Sequence, residues 1–112
     1  MLSKRYRFHS RGGVKYTYKN GKTLRAKNLS LVYAPNSRHH QRFCVVVSKK
    51  VLKSAVGRNR IRRRVYEAIR AELPEYKTHN DCIFIVYSKD YTHMPFSEIR
   101  EAVHSLLSQT VI

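Results

Sequence analysis

At 112 residues with 42% hydrophobic side chains, the chain has the length of one ordinary domain and enough apolar matter for one modest core. Residues 1–112 are therefore expected to form a single domain. No run of about 18 apolar residues occurs, and Met1-Leu2-Ser3-Lys4-Arg5 lacks the apolar stretch of a secretory leader, so the sequence predicts a cytoplasmic protein with no membrane contact.

The net charge is +16, and it is unevenly spread. The first 66 residues hold 19 of the 23 Lys and Arg and no acid; all seven acids follow. Such a density makes a folded domain repel itself, a cost that a polyanion offsets. Nucleic acid is the commonest such partner, because each neutralised phosphate releases a counterion.

In chain order, the first patterned stretch is ambiguous. Val14 to Tyr18, then Asn20-Gly21, then Lys22 to Arg25 has the local signature of a hairpin. The same residues also suit a short helix with Val14 and Tyr18 on one face, ending at Gly21. Asn28 to Ala34 alternates Leu29, Leu31 and Tyr33 against Ser30, Val32 and Ala34, which predicts a strand. Pro35 to His40 is a loop by composition. Phe43 to Val47 and Cys82 to Tyr87 are nearly continuous apolar runs and are expected to be strands buried on both faces. Between them, Ser54 caps a helix that Pro74 stops. At about 100° per residue, Ile61, Val65, Ala68 and Ile69 make one apolar stripe on it. Arg58 and Arg62 flank the stripe on one side and Arg60 and Arg64 on the other, with Arg63 opposite. A connection of this length allows a crossover. Phe96, Ile99, Ala102, Val103, Leu106 and Leu107 then mark an amphipathic last helix, with Pro95 at its start.

The arginine helix invites a functional reading. Cations at a helix N-terminus oppose its dipole, yet Lys49, Lys50, Lys53, Arg58 and Arg60 crowd that end. An external anion held by free backbone N–H groups and Arg forks would account for the arrangement. Gly57 costs about 1 kcal/mol relative to Ala in a helix and is expected to allow close backbone approach. Arginines on both flanks suggest two RNA surfaces. Tyr16, Tyr18 and Tyr33 lie among cations and offer stacking platforms for unpaired bases.

No catalytic set emerges. Glu72/Glu75 and Glu98/Glu101 are ordinary helical surface pairs, and His39-His40 and His79-x-x-Cys82 complete no zinc site. Cys44 and Cys82, in apolar runs, are expected to be small buried hydrophobes. No catalytic residue and no metal ligand is nominated.

The run Val45-Val46-Val47-Ser48-Lys49-Lys50-Val51, then Ser54-Ala55-Val56, then Arg58-Asn59-Arg60-Ile61-Arg62-Arg63 resembles the signature of the bacterial ribonuclease P protein subunit. Arg7-Phe8, Tyr18 to Gly21, the Asp81–Tyr87 strand and Phe96-Ser97-Glu98 follow in familiar order, so nearly the whole chain is covered. The resemblance implies an α/β (α+β) two-layer sandwich of order helix–strand–strand–strand–helix–strand–helix, with a left-handed crossover through the Arg-rich helix. It favours helix over Val14–Asn20, and that expectation is adopted here. It also implies assembly with a catalytic RNA that removes the 5′ leader of precursor tRNA, with Mg²⁺ held mainly by that RNA and none by the protein alone. No obligate protein partner is implied. Carried onto this chain, the RNA-binding residues are Lys49, Lys50, Lys53, Arg58, Asn59, Arg60, Arg62, Arg63 and Arg64. Phe8, Tyr18 and Tyr33 are aromatics of a leader cleft. Tyr66 stands where the family commonly has Arg, which puts stacking in place of a phosphate contact. The runner-up from composition is a ribosomal or other structural RNA-binding protein; a free-standing metal-dependent nuclease lacks its acid cluster.

Overall fold

The apolar runs become neighbouring parallel strands of a mixed sheet in the computed structural model, which describes residues 6–8, 11–26, 28–36, 40–73 and 79–110. The elements are α1 (Arg11–Asn20), β1 (Lys22–Ala26), β2 (Leu29–Pro35), β3 (Arg42–Val47), α2 (Ala55–Glu72), β4 (Asn80–Val86), a 3₁₀ turn over Lys89–Thr92, and α3 (Phe96–Ser108). The order of helices and strands is the expected one. Part of the predicted 35–40 loop and the helix stop at Pro74 lie outside the described residues. Strands lie in the order β1-β2-β4-β3: β2 pairs antiparallel with β1 and β4, and β3 pairs parallel with β4. A parallel neighbour needs a crossover, and α2 supplies it.

Alternation gives the sheet two different faces. Leu29, Leu31, Phe43, Val45, Phe84 and Val86 point to the layer made by α2 and α3, where Ile61, Val65, Ile69, Ile99, Val103 and Leu106 bury them. Val32, Cys44, Val46, Ile83 and Ile85 point the other way, where Phe8 and Val14 of α1 pack against them. The α2 stripe predicted from helical spacing is the buried one: Ile61, Val65, Ala68 and Ile69 are all fully enclosed.

Residues 14–25 form a helix and then a strand, so the local hairpin signature misleads. Gly21 N donates to Thr17 O at 2.8 Å and closes α1. A Cβ at Gly21 would stand 2.4 Å from Thr17 O and 2.7 Å from Tyr33 O, both backbone atoms, so glycine is required there for space. Val14 and buried Thr17 meet the sheet, and that tertiary contact outweighs strand propensity. The hairpin itself joins β1 to β2, with Asn28 in the left-handed region at φ 55°, a conformation Asn tolerates better than most residues.

The second difference concerns β3. It is an edge strand, and only Phe43, Val45 and Val47 are buried; Cys44 and Val46 are half-buried. Part of its outer edge is occupied. Phe8 N donates to Phe43 O at 3.0 Å, and Val45 N donates to the Tyr66 hydroxyl at 3.2 Å. Pairing of this kind blunts an edge that would otherwise invite another strand.

Two ionic clusters tie neighbouring elements together, one within the sheet and one between the two helices. Arg42 grips Asp81 through Nε at 2.9 Å and Nη2 at 2.7 Å, and Asn36 Nδ2 adds a bond of 2.8 Å. Glu72, with a side chain only 5% exposed, receives Arg100 Nε at 2.8 Å and faces His104 Nδ1 at 2.9 Å, which joins α2 to α3. Burial pushes the Glu72 carboxyl upward, but the bonds from Arg100 and His104 outweigh it and hold the group below its ordinary range.

Candidate nucleic-acid interface

The first cationic surface is the loop after β3 and the start of α2. Ser54 caps the helix, its hydroxyl accepting from Gly57 N at 3.1 Å. Arg58 Nη1 donates to Leu52 O at 2.9 Å and Lys53 O at 2.7 Å, which fixes the basic loop against the helix. A Cβ at Gly57 would meet the Leu52 side chain at 2.5 Å, so the space this glycine opens is taken by Leu52. Lys49, Lys50, Lys53, Asn59, Arg60 and Arg63 all point to solvent. The guanidiniums of Arg60 and Arg63 have no hydrogen-bond or ion-pair partner among the described residues.

Arg64 does not belong to this free set. Its Nη1 donates to Tyr91 O at 2.8 Å and its Nη2 to Met94 O at 2.5 Å, so it staples α2 to the turn before α3. Lodged under that turn, Tyr91 is buried, which pushes its phenol up to about 12.

The second surface lies on the opposite sheet face. Here Cys44, Val46 and Ile85 form a half-buried apolar strip. Tyr18 of α1 and Tyr87 at the end of β4 stand beside it, 46% and 49% exposed. Burial, with the neighbouring Cys44 and Tyr87, raises the Tyr18 phenol above its ordinary value, so the group stays neutral and presents no charge to a polyanion. Cys44 is a free thiol that burial pushes up while Arg62 pulls it down. Cys82, on the core face, is also free, and full burial pushes it upward.

The four predicted cleft aromatics separate. Tyr18 is in place. Phe8 is only 3% exposed and packs on Val32 and Ile83 with the Arg42 guanidinium 4.9 Å from its ring centroid, so it is a packing residue of this sheet face and not an exposed ring. Tyr33 falls on the other face, beside the α2–α3 core, because its strand register matches Leu29 and Leu31. Tyr66 is buried with its hydroxyl bonded to Val45 N, which removes it as a stacking surface. Neither Tyr87 nor the strip itself stands out in the sequence. The signal for the strip was an apolar run on both faces of a strand that turns out to lie at an edge.

Among the described residues no three His, Cys, Asp or Glu come together as a metal set. Glu72 and Asp81 are spent on Arg100, His104, Arg42 and Asn36, so these side chains do not fit a Mg²⁺ site on the chain. No helix among the described residues is long and apolar enough to cross a membrane.

A mixed sheet backed by two helices, with an exposed basic helix start on one side and tyrosines beside an apolar strip on the other, has the features of a basic α/β protein of the RNA-binding class. The family model described as Ribonuclease P matches residues 2–111. The ribonuclease P protein component of Clostridioides difficile is 39% identical over 98 residues, covering 85% of this chain and 82% of its own length. That of Chloroflexus aurantiacus is 32% identical over 111 residues, covering 99% and 82%. The RNase P protein from Thermotoga maritima superimposes with a TM-score of 0.83 at 24% identity, over 92% of this chain and 96% of its own; one from Staphylococcus aureus gives 0.80 at 23%, over 96% of each. The chain belongs to the bacterial ribonuclease P protein family, as the protein subunit of that endoribonuclease, with the ribonuclease P RNA as its implied partner.

Proposed function

We propose that this subunit, acting as one domain in the cytoplasm, holds the catalytic RNA with one surface and the 5′ leader of precursor tRNA with the other. The observation that carries the reading is the pairing of exposed Tyr18 and Tyr87 beside Cys44 of the half-buried Cys44–Val46–Ile85 strip. Flat phenols over an apolar floor stack unpaired bases with little regard to sequence, which suits leaders of differing sequence. Lys49, Lys50, Lys53, Asn59, Arg60 and Arg63 then face the catalytic RNA, since exposed, unpaired cations form phosphate contacts without first breaking internal bonds. Arg62 stands between the two surfaces. Mg²⁺ and the bond cleavage belong to the RNA in this reading.

The test is reconstitution. Catalytic RNA and protein together should cleave precursor tRNA at low Mg²⁺ and moderate salt, where RNA alone is weak and protein alone is inactive. No gain over RNA alone counts against the proposal. Cleavage by RNA-free protein would revive the nuclease alternative, and cosedimentation with ribosomal subunits the ribosomal one.

A further inference from the structure

Two arginines approach one buried ring from different elements. Arg7 belongs to the short N-terminal segment that bridges β3 at Phe43, and its guanidinium carbon lies 5.9 Å from the centroid of the Tyr66 ring. Its Nε is shielded from solvent and has no hydrogen-bond partner among the described residues. Arg62 stands one helical turn before Tyr66. Its hydrogen bond among the described residues is a long one, 3.4 Å, to Asn59 Oδ1. Both guanidiniums oppose the upward push that burial gives the Tyr66 phenol, so both lie within electrostatic reach of it. The nearest acid along the helix, Glu67, is turned to Arg70 at 3.0 Å.

A shielded donor without a partner is unfavourable, and like charges gathered near one ring repel. Both costs fall when an anion enters between them. Arg forks match phosphate oxygens in pairs. Tyr66 serves as the platform that holds Arg7 in place, since its own hydroxyl is committed to Val45 N. The location also fits: Cys44 lies within reach of both the Tyr66 and Tyr18 phenols, so the arginines border the apolar strip. A strand whose bases rest at Tyr18 would run its backbone along this border.

We infer that Arg7 and Arg62 form a seat for one phosphate of the single strand held in the Tyr18–Tyr87 cleft. The inference rests on the leader reading given above, and the experiment separates the two. In the complex reconstituted with catalytic RNA, precursor tRNAs carrying one neutral methylphosphonate at successive leader positions are bound to wild type, Arg7→Gln, Arg62→Gln and Tyr18→Ala. One linkage should weaken wild-type binding about three- to tenfold, and the same linkage should cost neither Arg variant anything further. Each Arg variant should also lower the salt slope of leader binding by about one. If that linkage costs the Arg variants as much as wild type, or no single linkage matters, while Tyr18→Ala still weakens leader binding, the seat is wrong and the cleft stands. If Tyr18→Ala has no effect either, both fall. Should Arg7→Gln lower the melting temperature, Arg62→Gln on the helix flank decides the outcome.

Discussion

Arg64 donates both terminal nitrogens to the carbonyls of Tyr91 and Met94, and this commitment fixes what its loss should do. Arg64→Ala unpairs two partly enclosed acceptors, so about 1–3 kcal/mol of stability should disappear, read by urea unfolding, with the salt slope of RNA assembly unchanged. A slope lowered by about one at unchanged stability would mean that Arg64 contacts phosphate after all. Tyr66→Phe should behave similarly, because it strands the Val45 N–H at the edge of β3. A cost of about 1–3 kcal/mol in unfolding is expected, and loss of leader binding at full stability would contradict it. Residue types alone could not separate these roles. Arg60 and Arg64 share one flank of the apolar stripe in a helical projection, and Arg63 lies opposite it, all outside the buried face. Only the position of the turn at residues 91–94, far along the chain, takes one of the three out of the RNA-facing set.

At the scale of elements, α2 and α3 are joined through Glu72, and the joint should titrate. The folded carboxyl lies below its ordinary value, so the contribution is fully present above the unfolded pKa of about 4.3 and is lost as pH falls through the lower folded pKa. Unfolding of wild type and Glu72→Gln compared from neutral to acid pH should show a gap that is largest near neutrality and closes on acidification. A gap that widens in acid would reverse the sign. Helix α1 makes a second case: Gly21→Ala would drive a Cβ into two backbone carbonyls. It should lower the melting temperature, and an unchanged melt would contradict the close approach. Elements with strong periodicity were legible in the sequence, α2 from its stripe and cap, β4 from its continuous apolar run. Helix α1 was legible only through the family resemblance, since Asn20-Gly21 carries a strong local turn signal and the contacts of Val14 and Thr17 with the sheet are invisible in sequence. The cleft was half legible for the same reason. Tyr18 stood out among cations, whereas Tyr87 and the half-buried side of β3 depend on which strand lies at the edge.

For the whole molecule, the acid-free first 66 residues are spread by the fold over two separate surfaces. The loop and helix start expose their cations to solvent, and the tyrosine-lined strip lies on the sheet face opposite α2 and α3. A division of these surfaces between two different RNAs is what the proposed function requires. It is tested most directly by measuring, in one reconstituted complex, assembly with the catalytic RNA and the affinity for tRNA with and without a leader, for Tyr18→Ala and Arg63→Ala. Tyr18→Ala should lose about 1–3 kcal/mol of leader binding with assembly and leaderless tRNA unaffected. Arg63→Ala should weaken assembly and lower its salt slope by about one, with leader discrimination intact. If both substitutions weaken the same quantity, the division into two surfaces is wrong.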